Sequence, residues 1–242
     1  MDTRGSRDCQ TAPLWLRLRS RAVESVLPVS RSLRPSSQHM SIDRGPIPNS
    51  YVLLDGRLIA GEYPGDRRDG PAKAKLGALL DAGVRTFIDL TESHELAPYD
   101  SLLAAEAKVR GAEARHVRLP IRDVSVPRSA EVMREILDAI DAGLRDGAKV
   151  YVHCWGGVGR TGTVVGCHLV RSGLSGDEAL ARVATLFKSM EKSSRRSRSP
   201  ETDEQEAYVR SWRSRTRNRP AGNAIRVARR AVLRSATAFA VR

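Results

Sequence analysis

In the run His153-Cys154-Trp155-Gly156-Gly157-Val158-Gly159-Arg160-Thr161-Gly162, one cysteine and one arginine are separated by a glycine-rich stretch. The apolar Val150 to Val152 precede it and a helix-like segment, Thr163 to Val170, follows, so Cys154 stands where a turn leaves a strand and opens a helix. Amide N–H groups turned inward by such a loop, together with the positive end of a helix, suit an oxyanion. Glycines 156, 157 and 159 allow the close backbone approach this needs. Arg160 is expected to close the anion site from one side, its planar fork matching two phosphate oxygens. A helix N-terminus and a neighbouring cation favour thiolate over thiol, and Cys154 is placed for both effects. A thiolate beneath a bound phosphate is an in-line nucleophile, so the expected chemistry is phosphoryl transfer to sulfur followed by hydrolysis. That sequence of steps calls for no metal and no cofactor. Residues Trp155, Gly156, Gly157, Val158, Gly159 and Arg160 form the expected substrate-binding ring. The Thr161 hydroxyl is expected to steady the thiolate.

The departing oxygen needs a proton, which a carboxylic acid on a loop can supply and later recover from water. Asp123 is the chosen residue, in the loop Ile121 to Pro127 after a strand ending at Leu119-Pro120. Asp89, at another strand end, and Asp100, within an expected helix, are its rivals.

These groups must be positioned by a folded frame. Tyr51 to Leu54 and Arg57 to Ala60 read as a hairpin closed by the two-residue turn Asp55-Gly56. Helices are expected over 71–82, 98–109, 129–145, 161–172 and 175–190, and strands over Val84 to Leu90, Ala114 to Leu119 and Lys149 to Val152. Val132, Ile136, Leu137, Ile140 and Leu144 share one face of the 129–145 helix. Ser199-Pro200-Glu201 has the order of a start for a last helix carrying Tyr208, Val209 and Trp212. The alternation implies an α/β fold with a mainly parallel central sheet, helices on both faces and a ligand site at the carboxyl ends of strands.

Of the net charge of +13, residues 1–39 carry +4 and residues 211–242 carry +9, so the middle of this 242-residue chain is neutral. The basic excess therefore belongs to the tails and is no nucleic-acid signature of the core. Three domains of organisation are expected: a disordered basic extension over 1–39, a catalytic domain over 40–212 and a basic, disordered tail over 213–242. An upstream start codon ahead of Met40 would also produce the extension. Cys9, Cys154 and Cys167 are too few for a disulfide framework. A cytoplasmic, monomeric protein is expected, with no stable nucleic-acid or membrane partner and only weak contact between the tails and acidic surfaces.

The loop resembles the signature of the cysteine-dependent protein tyrosine phosphatases: His-Cys, five residues, Arg, then Ser or Thr. Every fixed position matches. A core of about 170 residues points to the compact dual-specificity, bacterial-type enzymes rather than the larger domains. The resemblance implies a phosphatase-like fold, a phosphoprotein or other phosphomonoester substrate, and a phosphocysteine intermediate. It also implies that His153 hydrogen-bonds near the loop and tunes the thiol. The interval from Asp123 to Cys154 is similar to that between acid and nucleophile in compact members. Glu201-Thr202-Asp203-Glu204-Gln205 resembles the Gln-Thr-x-x-Gln element that positions water in larger relatives, with Glu201 in place of the first glutamine, so Glu201 or Gln205 could orient water. Capping of the last helix explains the same residues. The loop lacks the lysines that lipid phosphatases place around the cysteine, and the run 188–198 is expected to be a solvated surface loop. The alternatives are a rhodanese-like sulfurtransferase, which would leave a persulfide on Cys154, and a noncatalytic binder of phosphate or nucleic acid.

Overall fold

The computed structural model describes residues 44–213, apart from Asp55. The expected extension over 1–39 and the expected tail, beyond Arg213, lie outside the described residues. Five strands form one sheet in the order β1-β2-β5-β3-β4. They are β1 (Ser50–Leu53), β2 (Leu58–Gly61), β3 (Val84–Asp89), β4 (Arg115–Arg118) and β5 (Lys149–His153). Only β1 is antiparallel to its neighbour, and β2, β5, β3 and β4 run parallel. The helices are α1 (Asp69–Asp81), α2 (Asp100–Val109), α3 (Ala130–Arg145), α4 (Gly159–Arg171), α5 (Gly176–Phe187) and α6 (Asp203–Ser211), with a 3₁₀ turn at Glu191–Ser194.

Strand alternation divides the core between the two faces of the sheet. Leu58, Ala60, Ile88, Val150 and Val152 point to a layer shared with the buried residues of α3, α4 and α5. Ile59, Phe87 and Tyr151, one residue out of phase, meet Leu76 and Leu80 of α1 and Leu103 of α2. The helices thus cover both faces, as the alternating pattern implied. Val132 is only partly buried on α3, where Met133 joins Ile136, Leu137 and Ile140 in the core.

Two local expectations are corrected. The register pairs Leu53 with Leu58, so the hairpin connection spans four residues, 54–57, instead of two. Leu54 leaves the strand at φ 50° and Gly56 follows at φ 85°. The last helix starts later than Ser199: its N-cap is Thr202, whose hydroxyl accepts the Gln205 amide while the Gln205 side chain returns to the Thr202 N–H.

Candidate active site

The register of the parallel strands sets Gly61, His153, Asp89 and Arg118 in one row at their carboxyl ends. The loops that leave this row carry the chemistry: 154–158 after β5, 90–99 after β3 and 119–129 after β4. This is where a ligand site belongs in a parallel sheet.

The geometry of the cysteine loop follows from where its carbonyls go. The Trp155 carbonyl accepts the Tyr63 N–H (2.9 Å), that of Gly156 the Lys192 Nζ (3.3 Å), and that of Val158 the Ser199 hydroxyl (2.8 Å). In a trans peptide the next N–H points opposite to the carbonyl, so the amides of Gly156, Gly157 and Gly159 face the interior of the loop. The Gly157 amide reaches Cys154 Sγ at 3.3 Å. Gly157 has φ 74°, and a Cβ there would strike the Gly61 backbone and lie 2.6 Å from the Glu62 nitrogen. Only glycine fits. The N-cap of α4, Val158, offers no side-chain cap and its first turn holds no acid, leaving those amides to a ligand.

Arg160 is held from three sides. Its side chain is 1% exposed, and Glu95 grips it with both carboxylate oxygens, Nη1 to Oε1 at 2.7 Å and Nη2 to Oε2 at 2.9 Å. Nη1 also donates to the Ile121 carbonyl (3.0 Å), and Nη2 lies 2.8 Å from Asp123 Oδ1. The buried Nε–H has no partner among the described residues. Only the Nε–H is open, beside an Nη2 that Asp123 faces, so an anion taking Nε and Nη2 as a two-pronged edge would displace Asp123 from Nη2. Burial acts to raise the Glu95 carboxyl's pKa, but hydrogen bonds from Arg160 and the Glu92 amide bring it below the usual value.

Asp123 is 52% exposed on its side chain and pairs with Arg160, not with its neighbour Arg122. Its rivals are differently employed. Asp89 is fully buried, its Oδ1 accepting the amide and hydroxyl of Thr91 (2.9 and 2.7 Å) and its Oδ2 bonding His116 and Arg118 (3.1 and 3.0 Å). Against the effect of burial, His116, His153 and Thr91 hold its carboxyl well below the usual range, so it has no proton to give at neutral pH. Asp100 is the exposed first residue of α2.

His153 is buried beneath the loop. Its Nδ1 faces the Cys154 carbonyl (3.3 Å), an acceptor, which places the proton on Nδ1; Nε2 then accepts from the Tyr99 hydroxyl at 2.7 Å. Burial lowers its pKa to about 4, so the ring is neutral at pH 7. The Thr161 hydroxyl is buried with no hydrogen-bond partner among the described residues, and the contact to the thiol comes from the Gly157 amide. Cys167 lies eight residues into α4, about 12 Å of helix rise from its start, and burial pushes its thiol up, so it serves packing.

Glu201 and Gln205 both reach Gly159, where a Cβ would lie 2.6 Å from Glu201 Oε2 and 3.0 Å from the Gln205 amide. Gln205 is fully buried; its Oε1 accepts the amides of Glu201 and Thr202, and its Nε2 donates to the Ser125 carbonyl in the Asp123 loop (3.1 Å). Trp155 stands at the rim, 56% exposed.

The sequence reading missed Glu95 and the Tyr99, His116 and Arg118 set around Asp89 and His153. Glu95 had one signal: it lies in the loop leaving the carboxyl end of β3. The 188–198 run is exposed over residues 194–197, as a solvated loop would be, yet it also borders the site. Lys192, Arg195 and Arg196 line a cleft of about 540 Å³ together with Asp123, Trp155 and Glu201. Asn49 and Glu62 draw the run inward through hydrogen bonds to the Lys192 amide (3.0 Å) and Nζ (2.6 Å).

A family model described as a polymorphic toxin system, DSP-PTPase phosphatase, matches residues 64–174, which include Asp123, Cys154 and Arg160. Tk-PTP, solved in its active form, is 32% identical, with 67% of this chain and 94% of that chain covered, at a TM-score of 0.48. A tyrosine phosphatase homologue of Invertebrate iridescent virus 3, 067L, is 34% identical over 125 residues, 50% of this chain and 45% of the viral protein. Tyrosine-protein phosphatase CDC14 of Candida albicans is 31% identical over 145 residues, 60% of this chain and 25% of that protein. The chain spans less than half the length of these two curated relatives. The signature loop matches at every fixed position, and the family model and these tyrosine phosphatase relatives support a cysteine-dependent, dual-specificity-like phosphatase.

Proposed function

We propose that the chain hydrolyses phosphate monoesters on proteins, phosphotyrosine foremost, through a phosphocysteine on Cys154. The observation that carries this is a single loop segment in which a sulfur, inward-facing amides and the open Nε–H of a buried guanidinium come together. The Cys154 thiolate attacks phosphorus, an S–P bond forms, the ester O–P bond breaks, and Asp123 protonates the departing oxygen. The amides and Arg160 neutralise the equatorial oxygens, where charge develops. Water then attacks the thiophosphate and gives its proton to Asp123. The S–P bond breaks, releasing phosphate and restoring the thiolate.

His153, neutral and fixed by Tyr99, sets the Cys154 carbonyl and with it the start of the loop. Glu201, over Gly159 in the cleft, is the residue assigned to orient water, because the Gln205 amide is committed to capping α6 and to Ser125. Thr161 is assigned to the thiolate released after hydrolysis, its hydroxyl being free of other partners among the described residues. Phosphoproteins are the substrate class that fits a family of tyrosine phosphatases.

The test is direct. Purified protein should release phosphate from p-nitrophenyl phosphate in the presence of EDTA, and acid quenching should trap added phosphate mass on the peptide containing Cys154. Cys154→Ser should abolish both. Asp123→Asn should slow phosphotyrosine hydrolysis more than that of p-nitrophenyl phosphate, whose good leaving group needs less protonation. Equal losses on the two substrates would move the acid elsewhere.

A further inference from the structure

We propose that Arg195 and Arg196 form a second anion subsite beside the catalytic loop, one that selects phosphotyrosine peptides carrying an acidic side chain next to the scissile residue. The proposal rests on the phosphatase reading above and names the substrate class of that same site.

The two arginines line the cleft that Trp155 and Asp123 also border. Both are exposed and neither has an acidic partner among the described residues. Arginines elsewhere differ: Arg198 pairs with Asp203, Arg171 with Asp138 and Asp141, and Arg210 with Asp177. The carboxylates of the cleft are placed elsewhere, Asp123 on Arg160 and Glu201 over Gly159. An exposed pair of guanidiniums without counter-charge at the mouth of a phosphate site attracts a second anion.

The segment is also held in place, which separates it from a solvated charge run. The Glu191 amide donates to the Pro48 carbonyl (3.4 Å) and the Lys192 amide to Asn49 Oδ1 (3.0 Å). Lys192 Nζ then joins Glu62 Oε2 (2.6 Å) to the Gly156 carbonyl (3.3 Å). At the far end the Ser199 hydroxyl binds the Val158 carbonyl (2.8 Å). The run is thus tied to the catalytic loop on both sides of the two arginines, and Lys192, already paired with Glu62, acts as the anchor.

The occupant is a peptide because of what else the cleft shows. Among the described residues only Val109, Val124 and Trp155 are large hydrophobics with exposed side chains, and the last two line this cleft. They give apolar walls for a flat aromatic ring. The loop itself carries no cation besides Arg160, so a headgroup with several phosphates would find its extra charge met only at the rim.

The test compares two phosphotyrosine peptides that differ only in flanking Glu and Asp against Gln and Asn. For the full chain the acidic peptide should be favoured about tenfold in kcat/KM, mostly through KM, the size two solvent-exposed ion pairs allow. The preference should shrink as salt rises. Arg195→Ala with Arg196→Ala should bring the ratio of the two peptides close to one, and Arg195→Lys with Arg196→Lys should keep most of it. An unchanged ratio in the double alanine variant would overturn the subsite while leaving the phosphatase reading intact. Faster hydrolysis of a phosphatidylinositol phosphate in phosphatidylcholine vesicles than of either peptide would overturn the peptide assignment. Failure of the unmodified chain to release phosphate from either peptide and from p-nitrophenyl phosphate would remove both readings together.

Discussion

Replacing Glu95 by glutamine should separate the two tasks of Arg160, being buried and binding an anion. The guanidinium is 1% exposed and balanced by Glu95 at 2.7 and 2.9 Å and by Asp123 at 2.8 Å. Breaking a buried ion pair by removing one partner costs about 3–5 kcal/mol. Glutamine keeps one acceptor oxygen and Asp123 keeps a counter-charge, so the expected loss in Glu95→Gln is about 2 kcal/mol, or about 4–8 °C in Tm for a domain of this size. A phosphate or vanadate dianion on the donor edge of Arg160 would supply the missing charge. Thermal melts with and without orthovanadate should therefore show the variant gaining more Tm from the anion than the unmodified chain does. Turnover should also fall, since the guanidinium loses the contact that aims it. A Tm within about 1 °C of the original, or the same anion-induced gain in both proteins, would refute the idea that Glu95 holds this arginine.

Three further outcomes are expected. His153 is neutral in the folded chain, its pKa lowered by burial to about 4, whereas in the unfolded chain it takes up a proton near about 6.5. Stability therefore falls as pH drops from about 6.5 toward about 4, by up to ~3 kcal/mol, and urea unfolding at pH 7 and pH 5 should show a steeper loss than in His153→Asn. Asp89, held ionised, adds its own loss only at still lower pH. Gly157→Ala should destabilise by at least ~2 kcal/mol and remove activity, because a methyl there meets the Gly61 backbone at a positive φ; a well-folded, active variant would contradict the loop geometry. Gln205→Glu keeps the acceptor that caps α6 but loses the donor to Ser125, so phosphotyrosine turnover should fall more than that of p-nitrophenyl phosphate, while Gln205→Ala should also cost about 1 kcal/mol in stability.

Periodicity and the signature loop made most of this arrangement readable in advance. Strands β3 and β5 and helix α3 were legible because each is a run of one hydrophobic period bounded by turn residues, and Cys154 and Arg160 because their spacing is fixed by local geometry. Glu95 was not legible: it reaches Arg160 across 65 residues, and only the parallel register brings the two loops side by side. The same holds for the 188–198 run, whose composition is that of a solvated loop; its attachment depends on Asn49 and Glu62, near the opposite end of the domain. The start of α6 was misplaced for a local reason, since Thr202 and Gln205 form a capping box that outcompetes the Ser-Pro-Glu order just before it.

In the sheet order, β5 arrives last along the chain yet sits between β2 and β3. The early strands therefore form two pairs, β1 with β2 and β3 with β4, joined only by the cysteine-bearing strand, whose contacts span about 60 to 90 residues and are slow to form by the logic of distant contacts. A chain still emerging or partly collapsed has neither the amide ring nor the aimed guanidinium. On the proposed chemistry, the site would be complete only once β5 has entered the sheet.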